Sequence, residues 1–253
     1  MMTKPAEAVE PEISAKDRII VALDVDSADE ARRVSAELRG LVGGFKIGLQ
    51  LFTAAGPELV KEFVGDHQRV FLDLKFHDIP NTVAKAAVEA AKLGVWMFNI
   101  HAGGGSEMMR RTVGDVDAAC TTVDIARPLI IAVTVLTSSD AGTMNEIGVA
   151  DAVEDQVVRL ARLTAECGLD GVVVSPREVP LIRRAIADRS FLTITPGIRP
   201  LSATDDDQRR VTTFRQAIEN GSDYVVIGRP IVGAADRAGA AEQIAAEIER
   251  LNK

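Results

Sequence analysis

Eight short apolar runs, each followed by a stretch of helical period, leave this chain few ways to fold. The runs are RIIVALDV, GFKIGLQLF, RVFLDLKF, WMFNIH, PLIIAVTVL, GVVVSP, FLTITPGI and YVVIGRPI, separated by patterns such as SADEARRVSAELRG, NTVAKAAVEAAKLG and DAVEDQVVRLARLTAECG. Near-continuous apolar strands joined by amphipathic helices imply a parallel sheet covered on both faces. Several helical patterns open on a capping residue (Ser27, Asn81, Asp151) and close on a glycine (Gly40, Gly94, Gly168). Eight such units in 253 residues favour closure into one (β/α)8 TIM barrel of the α/β class over an open doubly wound sheet. No GxGxxG follows the first run, which lowers the dinucleotide-binding alternative. The expected organisation is a single barrel domain over residues 17–253. A short, flexible, acidic tail precedes it at residues 1–16, where Pro5 and Pro11 oppose regular structure.

Composition narrows the possible partners. A net charge of −8 provides no global basic footprint, so a nucleic-acid partner is not expected. An anionic small molecule still fits, because local amides and one or two arginines override a distant field. No apolar run approaches the roughly 18–20 residues needed to span a bilayer, and the opening residues lack the apolar core of a secretory signal. Cys120 and Cys167 show no CxxC spacing and read as reduced, structural thiols in a cytoplasmic setting.

In barrels of this kind the reactive groups sit at the C-terminal ends of the strands. Those ends carry Asp24 on the first run, Lys46 on the second, and Asp73 with Lys75 on the third, followed by Asp78. His101 ends the fourth, Thr137 and Ser138 follow the fifth, and Ser175 ends the sixth. Asp24 taken alone reads equally well as a helix cap. His101 beside HAGGGS reads as a packing and hydrogen-bonding residue, and His67 and His77 as surface and loop residues. With three histidines and no GxSxG, a serine-nucleophile triad has no support.

The stretch FLDLKFHDIPNT resists a purely structural reading. Asp73 and Lys75 stand two apart, the spacing that puts side chains on one face of a strand. Charged side chains are seldom buried unless paired, and Lys46 can reach them from the neighbouring strand. A chain of alternating charge, Lys46–Asp73–Lys75–Asp78, is therefore expected. Each contact is worth about 4 kcal/mol at 4 Å and an effective dielectric near 20, before desolvation. Such a chain holds its charges without a metal. The loops after the last two strands of these barrels often bind phosphate. Here they offer Gly197 with Arg199, and Gly228 with Arg229, as amides and guanidinium forks.

DLKFHDIPNT resembles the DxKxxDIxNT signature of the orotidine 5′-phosphate decarboxylase family. The likeness continues in family order through ALDV at 22–25, FKIGLQLF at 45–52, NIHAGGG at 99–105, VTVLTS at 133–138, TPGIRP at 195–200 and YVVIGRPI at 224–231. The resemblance implies loss of CO₂ from orotidine 5′-monophosphate to give uridine 5′-monophosphate, with no metal and no cofactor. It makes Lys75 the proton donor at the reacting carbon and sets Asp73 beside the substrate carboxylate. It implies a homodimer with shared sites, in which Asp78, Ile79 and Thr82 reach the neighbouring subunit's ligand. Asp24 and Lys46 fall at the ribose hydroxyls, and Thr137 with Ser138 at the pyrimidine edge. Arg199, Gln208, Gly228 and Arg229 fall around the phosphate. Ser139, Pro176 and Phe214 depart from the common family pattern, none at a charged site position.

Three other readings compete. A sister barrel, 3-keto-L-gulonate 6-phosphate decarboxylase or hexulose-phosphate synthase, carries a similar DxK motif but uses Mg²⁺. It places a metal-binding glutamate where this chain has Lys46. A non-catalytic nucleotide-binding barrel would need the phosphate loops but not the charge chain. A Schiff-base aldolase would also use a barrel lysine, and borohydride trapping with a keto substrate separates it.

Overall fold

A computed structural model describes residues 13–197 and 213–251. Among them eight parallel strands close into a barrel in sequence order, each hydrogen-bonded to the next and the last to the first. The strands are β1 (Ile19–Ala22), β2 (Gly44–Gly48), β3 (Val70–Phe76), β4 (Met97–His101), β5 (Leu129–Val133), β6 (Gly171–Val173), β7 (Leu192–Thr195) and β8 (Tyr224–Ile227).

Helices cover the outside. The first four connections carry α1 (Ala28–Leu38), α2 (Leu49–Gly65), α3 (Pro80–Lys92) and α4 (Gly105–Val123). Two helices, α5 (Ala141–Glu146) and α6 (Val153–Glu166), separate β5 from β6. Then come α7 (Val179–Ala185) and α8 (Phe214–Glu219), and after β8 the four-residue α9 (Arg229–Val232) and α10 (Arg237–Leu251). The expected strict alternation of one helix per strand is thus broken after β5 and after β8. The helix α5 forms because Asp140 accepts the Thr143 N–H at its start. Within α2 the helix breaks at Gly56, whose φ of 70° only glycine adopts readily, and restarts at Pro57.

The caps obey the sequence in part. Ser27 accepts the Glu30 N–H as expected, and Gly40, Gly94 and Gly168 hold positive φ where their helices end. Asn81 and Asp151 are not caps. Pro80 begins α3 one residue before Asn81, since its fixed φ suits the first helical position. Asp151 is taken by Arg159, and Ala152 precedes α6 instead.

Period-2 alternation sorts the core into two layers. Outward residues such as Val70, Leu72, Phe98 and Ile100 pack under the helices. Inward ones, among them Ile20, Phe71, Met97, Ile131, Ile194 and Val226, fill the barrel itself. Its N-terminal floor is an aromatic stack: Trp96 meets Tyr224 edge-on at 5.2 Å, and the Arg69 guanidinium lies 5.5 Å from the Trp96 ring. Ile13 packs against this same layer, and a short 3₁₀ turn spans Lys16–Arg18. Residues 13–16, expected in the tail, therefore belong to the folded body, because Ile13 finds apolar surface to cover. Ion pairs brace the floor: the half-buried Arg183 meets Asp223, which also accepts the Thr193 N–H, and the exposed Arg127 meets Asp170, which accepts the Ile130 N–H.

Candidate active site

At the opposite end, four charges line up across three neighbouring strands. Lys46, inward on β2, places its Nζ 3.0 Å from Asp24 Oδ1 and 3.4 Å from Asp73 Oδ2. Lys75 Nζ lies 2.6 Å from Asp73 Oδ1. The chain of alternating sign is Asp24–Lys46–Asp73–Lys75, graded from a solvent-facing Asp24 (63% exposed) to a nearly enclosed Lys46 and Asp73 (11% and 12%). Buried ion pairs seldom stabilise more than apolar residues of the same shape. A four-charge row at a barrel mouth is therefore better explained by chemistry than by folding.

The expected fourth member was Asp78, and here the reading is corrected. Asp78 is exposed, its Oδ1 accepts the Ile79 N–H at 2.6 Å, and among the described residues it forms no ion pair with Lys75. Asp24 takes that place because Ser27 alone caps α1, leaving Asp24 to Lys46. Ile79 is 65% exposed, and Thr82 is exposed on the first turn of α3. Asp78, Ile79 and Thr82 thus form an outward group beside the mouth.

The backbone at Lys75 is unusual. Its φ of 52° lies in the left-handed region, which costs a non-glycine residue about 1–2 kcal/mol. The β3–β4 register jumps from Leu72↔Phe98 to Phe76↔Ile100, so a bulge carries Lys75 out of the ladder. Asn99, fully buried and inward on β4, meets this bulge: its Oδ1 accepts the Lys75 N–H at 2.8 Å and its Nδ2 donates to Asp73 Oδ1 at 2.7 Å. Sequence reasoning passed over Asn99. The signal was available, since a lone amide at an inward position of MFNIH must find partners.

Gly48 makes a second hidden contribution. A Cβ there would stand 2.9 Å from Lys46 Nζ and 3.7 Å from Asp24 Oδ1, so the missing side chain is the space the ammonium occupies. Gly228, at the end of β8, adjoins the same row, with a Cβ position 3.7 Å from Asp24 Oδ2. Arg229 follows it, exposed, as the first residue of α9. The charge row and the end of β8 therefore share one rim.

His101 stacks on His77 with ring centroids 5.3 Å apart. Burial, then the nearby His77 and Lys75 charges, hold its imidazole below the ordinary histidine range. Thr137 and Ser138 lie in the turn after β5, half-buried and exposed respectively. Ser175, beyond β6, is buried with an Oγ that has no hydrogen-bond partner among the described residues. Arg199 and Gln208 lie outside the described residues. Among those described, no group of three or more His, Cys, Asp or Glu is placed to hold a metal ion.

Residues 17–244 match the family model described as "Orotidine 5'-phosphate decarboxylase / HUMPS family". A relative named orotidine 5′-phosphate decarboxylase from Syntrophotalea carbinolica is 51% identical over 237 residues, covering 93% of this chain and 96% of its own. One of the same name from Geobacter sulfurreducens is 51% identical over 234 residues, covering 92% and 97%. A crystal structure of orotidine 5′-phosphate decarboxylase from Lactobacillus acidophilus superposes with a TM-score of 0.80 at 38% identity, over 91% of this chain and 98% of that one.

Proposed function

The chain belongs to the orotidine 5′-phosphate decarboxylase / HUMPS family, and from that premise we propose that it converts orotidine 5′-monophosphate to uridine 5′-monophosphate and CO₂, the decarboxylation of pyrimidine nucleotide synthesis. The observation that carries this reading is the Lys75 ammonium held 2.6 Å from Asp73 at the barrel mouth. Loss of CO₂ leaves an electron pair in the ring plane at C6, where the ring carbonyls cannot absorb it. Other decarboxylases borrow an electron sink from a cofactor. A fixed cation offers a different route: it stabilises charge as it develops, then supplies the proton. The C6–carboxylate bond breaks, its electrons stay on C6, and a Lys75 N–H proton forms the new C6–H bond. Solvent later restores that proton.

Asp73 would face the departing carboxylate, adding repulsion that vanishes as neutral CO₂ forms. Asp24 and Lys46 would take the ribose hydroxyls, and Thr137 with Ser138 the pyrimidine edge. Gly228 and Arg229, with Arg199 and Gln208, would take the phosphate, whose binding energy is spent at the distant reacting carbon. Asp78, Ile79 and Thr82 would serve the site of a second subunit, in keeping with their outward placement. The reaction needs no metal, because the Lys46 ammonium already lies between the carboxylates of Asp24 and Asp73. A cytoplasmic homodimer completes the proposal.

The test is the absorbance change of orotidine 5′-monophosphate mixed with purified protein and EDTA. Turnover in EDTA is expected. Activity that appears only with Mg²⁺ would favour a sugar-phosphate enzyme of the same family. Tight nucleotide binding without turnover would make the barrel a binding module.

A further inference from the structure

The geometry points to Asn99 as a positioning residue for this reaction, one that aims the Lys75 ammonium without touching the substrate. The inference rests on the function proposed above.

Asn99 joins the two residues on which that chemistry depends, and joins them by different parts. The Lys75 backbone N–H can only donate, so the amide oxygen must face it and the amide NH₂ must face Asp73. The orientation of the side chain is thereby fixed by its partners. Asn99 is 0% exposed, so water offers neither contact an alternative.

The need for such a group follows from the bulge. At the register jump the Lys75 N–H donates to a side chain on β4 rather than to a strand carbonyl. The Asn99 side chain stands in for the missing rung and holds a left-handed residue that has no glycine's freedom. The same planar amide pins Asp73 Oδ1, the atom that also receives the Lys75 ammonium. One rigid group therefore sets both where the lysine stem starts and where its charge is anchored. Small misplacements of reacting groups cost rate steeply, about 100-fold for 1 Å.

A plain structural stitch would affect how much protein folds. A positioning residue affects turnover in the protein that has folded. Asn99→Asp keeps an oxygen for the Lys75 N–H but loses the donor to Asp73, and Asn99→Ala loses both. Steady-state kinetics with orotidine 5′-monophosphate, normalised to folded protein, should show kcat lowered by about 100-fold or more in each, with KM changed less than about threefold. Near-native kcat in either folded variant overturns the assignment, as does a loss confined to KM. If Asn99→Ala does not fold, Asn99→Asp decides. If neither folds, Asn99 is a structural stitch and the inference falls. An inactive wild type overturns the proposed function itself, whereas an active wild type with unaffected variants overturns only the role of Asn99.

Discussion

Lys75 reaches Asp73 at 2.6 Å although the strand that carries both has left its register with β4 around them. The two side chains converge because the backbone turns left-handed at Lys75, not because a regular strand presents them side by side. This makes the ammonium a placed charge, and its removal should be felt in turnover before binding. Lys75→Ala is expected to lower kcat by at least about 10³-fold, within the range for a lost acid or charge stabiliser. Calorimetry should still detect uridine 5′-monophosphate. Turnover near that of the wild type would remove Lys75 from the mechanism.

Asp78 is exposed and, among the described residues, forms no ion pair with its own charge row. If it serves a second subunit, inactive Lys75→Ala and Asp78→Ala proteins should recover activity when mixed under subunit exchange, since one hybrid site regains both groups. Random pairing makes half the dimers hybrid, each with one intact site, so about a quarter of wild-type activity is the ceiling. No recovery despite demonstrated exchange would count against shared sites.

Gly48 leaves room for the Lys46 ammonium. The clash in Gly48→Ala falls on the end of a flexible side chain, which can move at little cost to folding. Stability should stay within about 1 kcal/mol of wild type, the scale of a helix-start substitution. The ammonium must shift, however, and kcat/KM should fall about tenfold or more. Gly65→Ala, where a Cβ meets nothing within 4 Å, is the control. Equal kinetics in the two variants would refute the spatial argument.

Arg229 stands next to Gly228 on the rim. Arg229→Ala should weaken uridine 5′-monophosphate binding by roughly 10–100-fold, the worth of a charged hydrogen bond. Binding of the unphosphorylated nucleoside should change little. An unchanged ratio between the two ligands would place the phosphate elsewhere.

Burial, with the charges of His77 and Lys75, holds the His101 pKa below the ordinary histidine range. Its folded pKa is depressed, so below the unfolded value near 6.5 the unfolded chain takes up the proton first. Its contribution to stability is full above that value and is lost as pH falls toward the folded pKa. His101→Asn should flatten the fall of unfolding free energy below pH 6.5 by up to about 1.4 kcal/mol per pH unit. Denaturant titrations at several pH values would show it, and an identical slope in the variant would contradict a depressed His101 pKa.

Much of the site was legible because strand periodicity is simple. Inward positions on β2 and β3 can be counted from the apolar pattern, and the count puts Lys46 and Asp73 in the mouth. What escaped reading depended on departures from that regularity. The bulge at Lys75 has no glycine or proline to announce it, and Asn99 matters only because the bulge exists. Asp24 and Asp78 are both acidic residues just past a strand, and only the path of each loop decides which joins the row. Helix starts misread at Asn81 and Asp151 have local causes, a proline at the first helical position and an arginine one helical face away.

Among the described residues, the Trp96–Tyr224 stack and the filled interior above it close the N-terminal end of the cylinder, leaving the mouth at the charge row as the doorway. Gas and nucleotide must depart by the same route the substrate took in. A small neutral molecule slips past a bound nucleotide far more easily than the reverse, so an ordered exit, carbon dioxide ahead of the nucleotide, is built into the architecture.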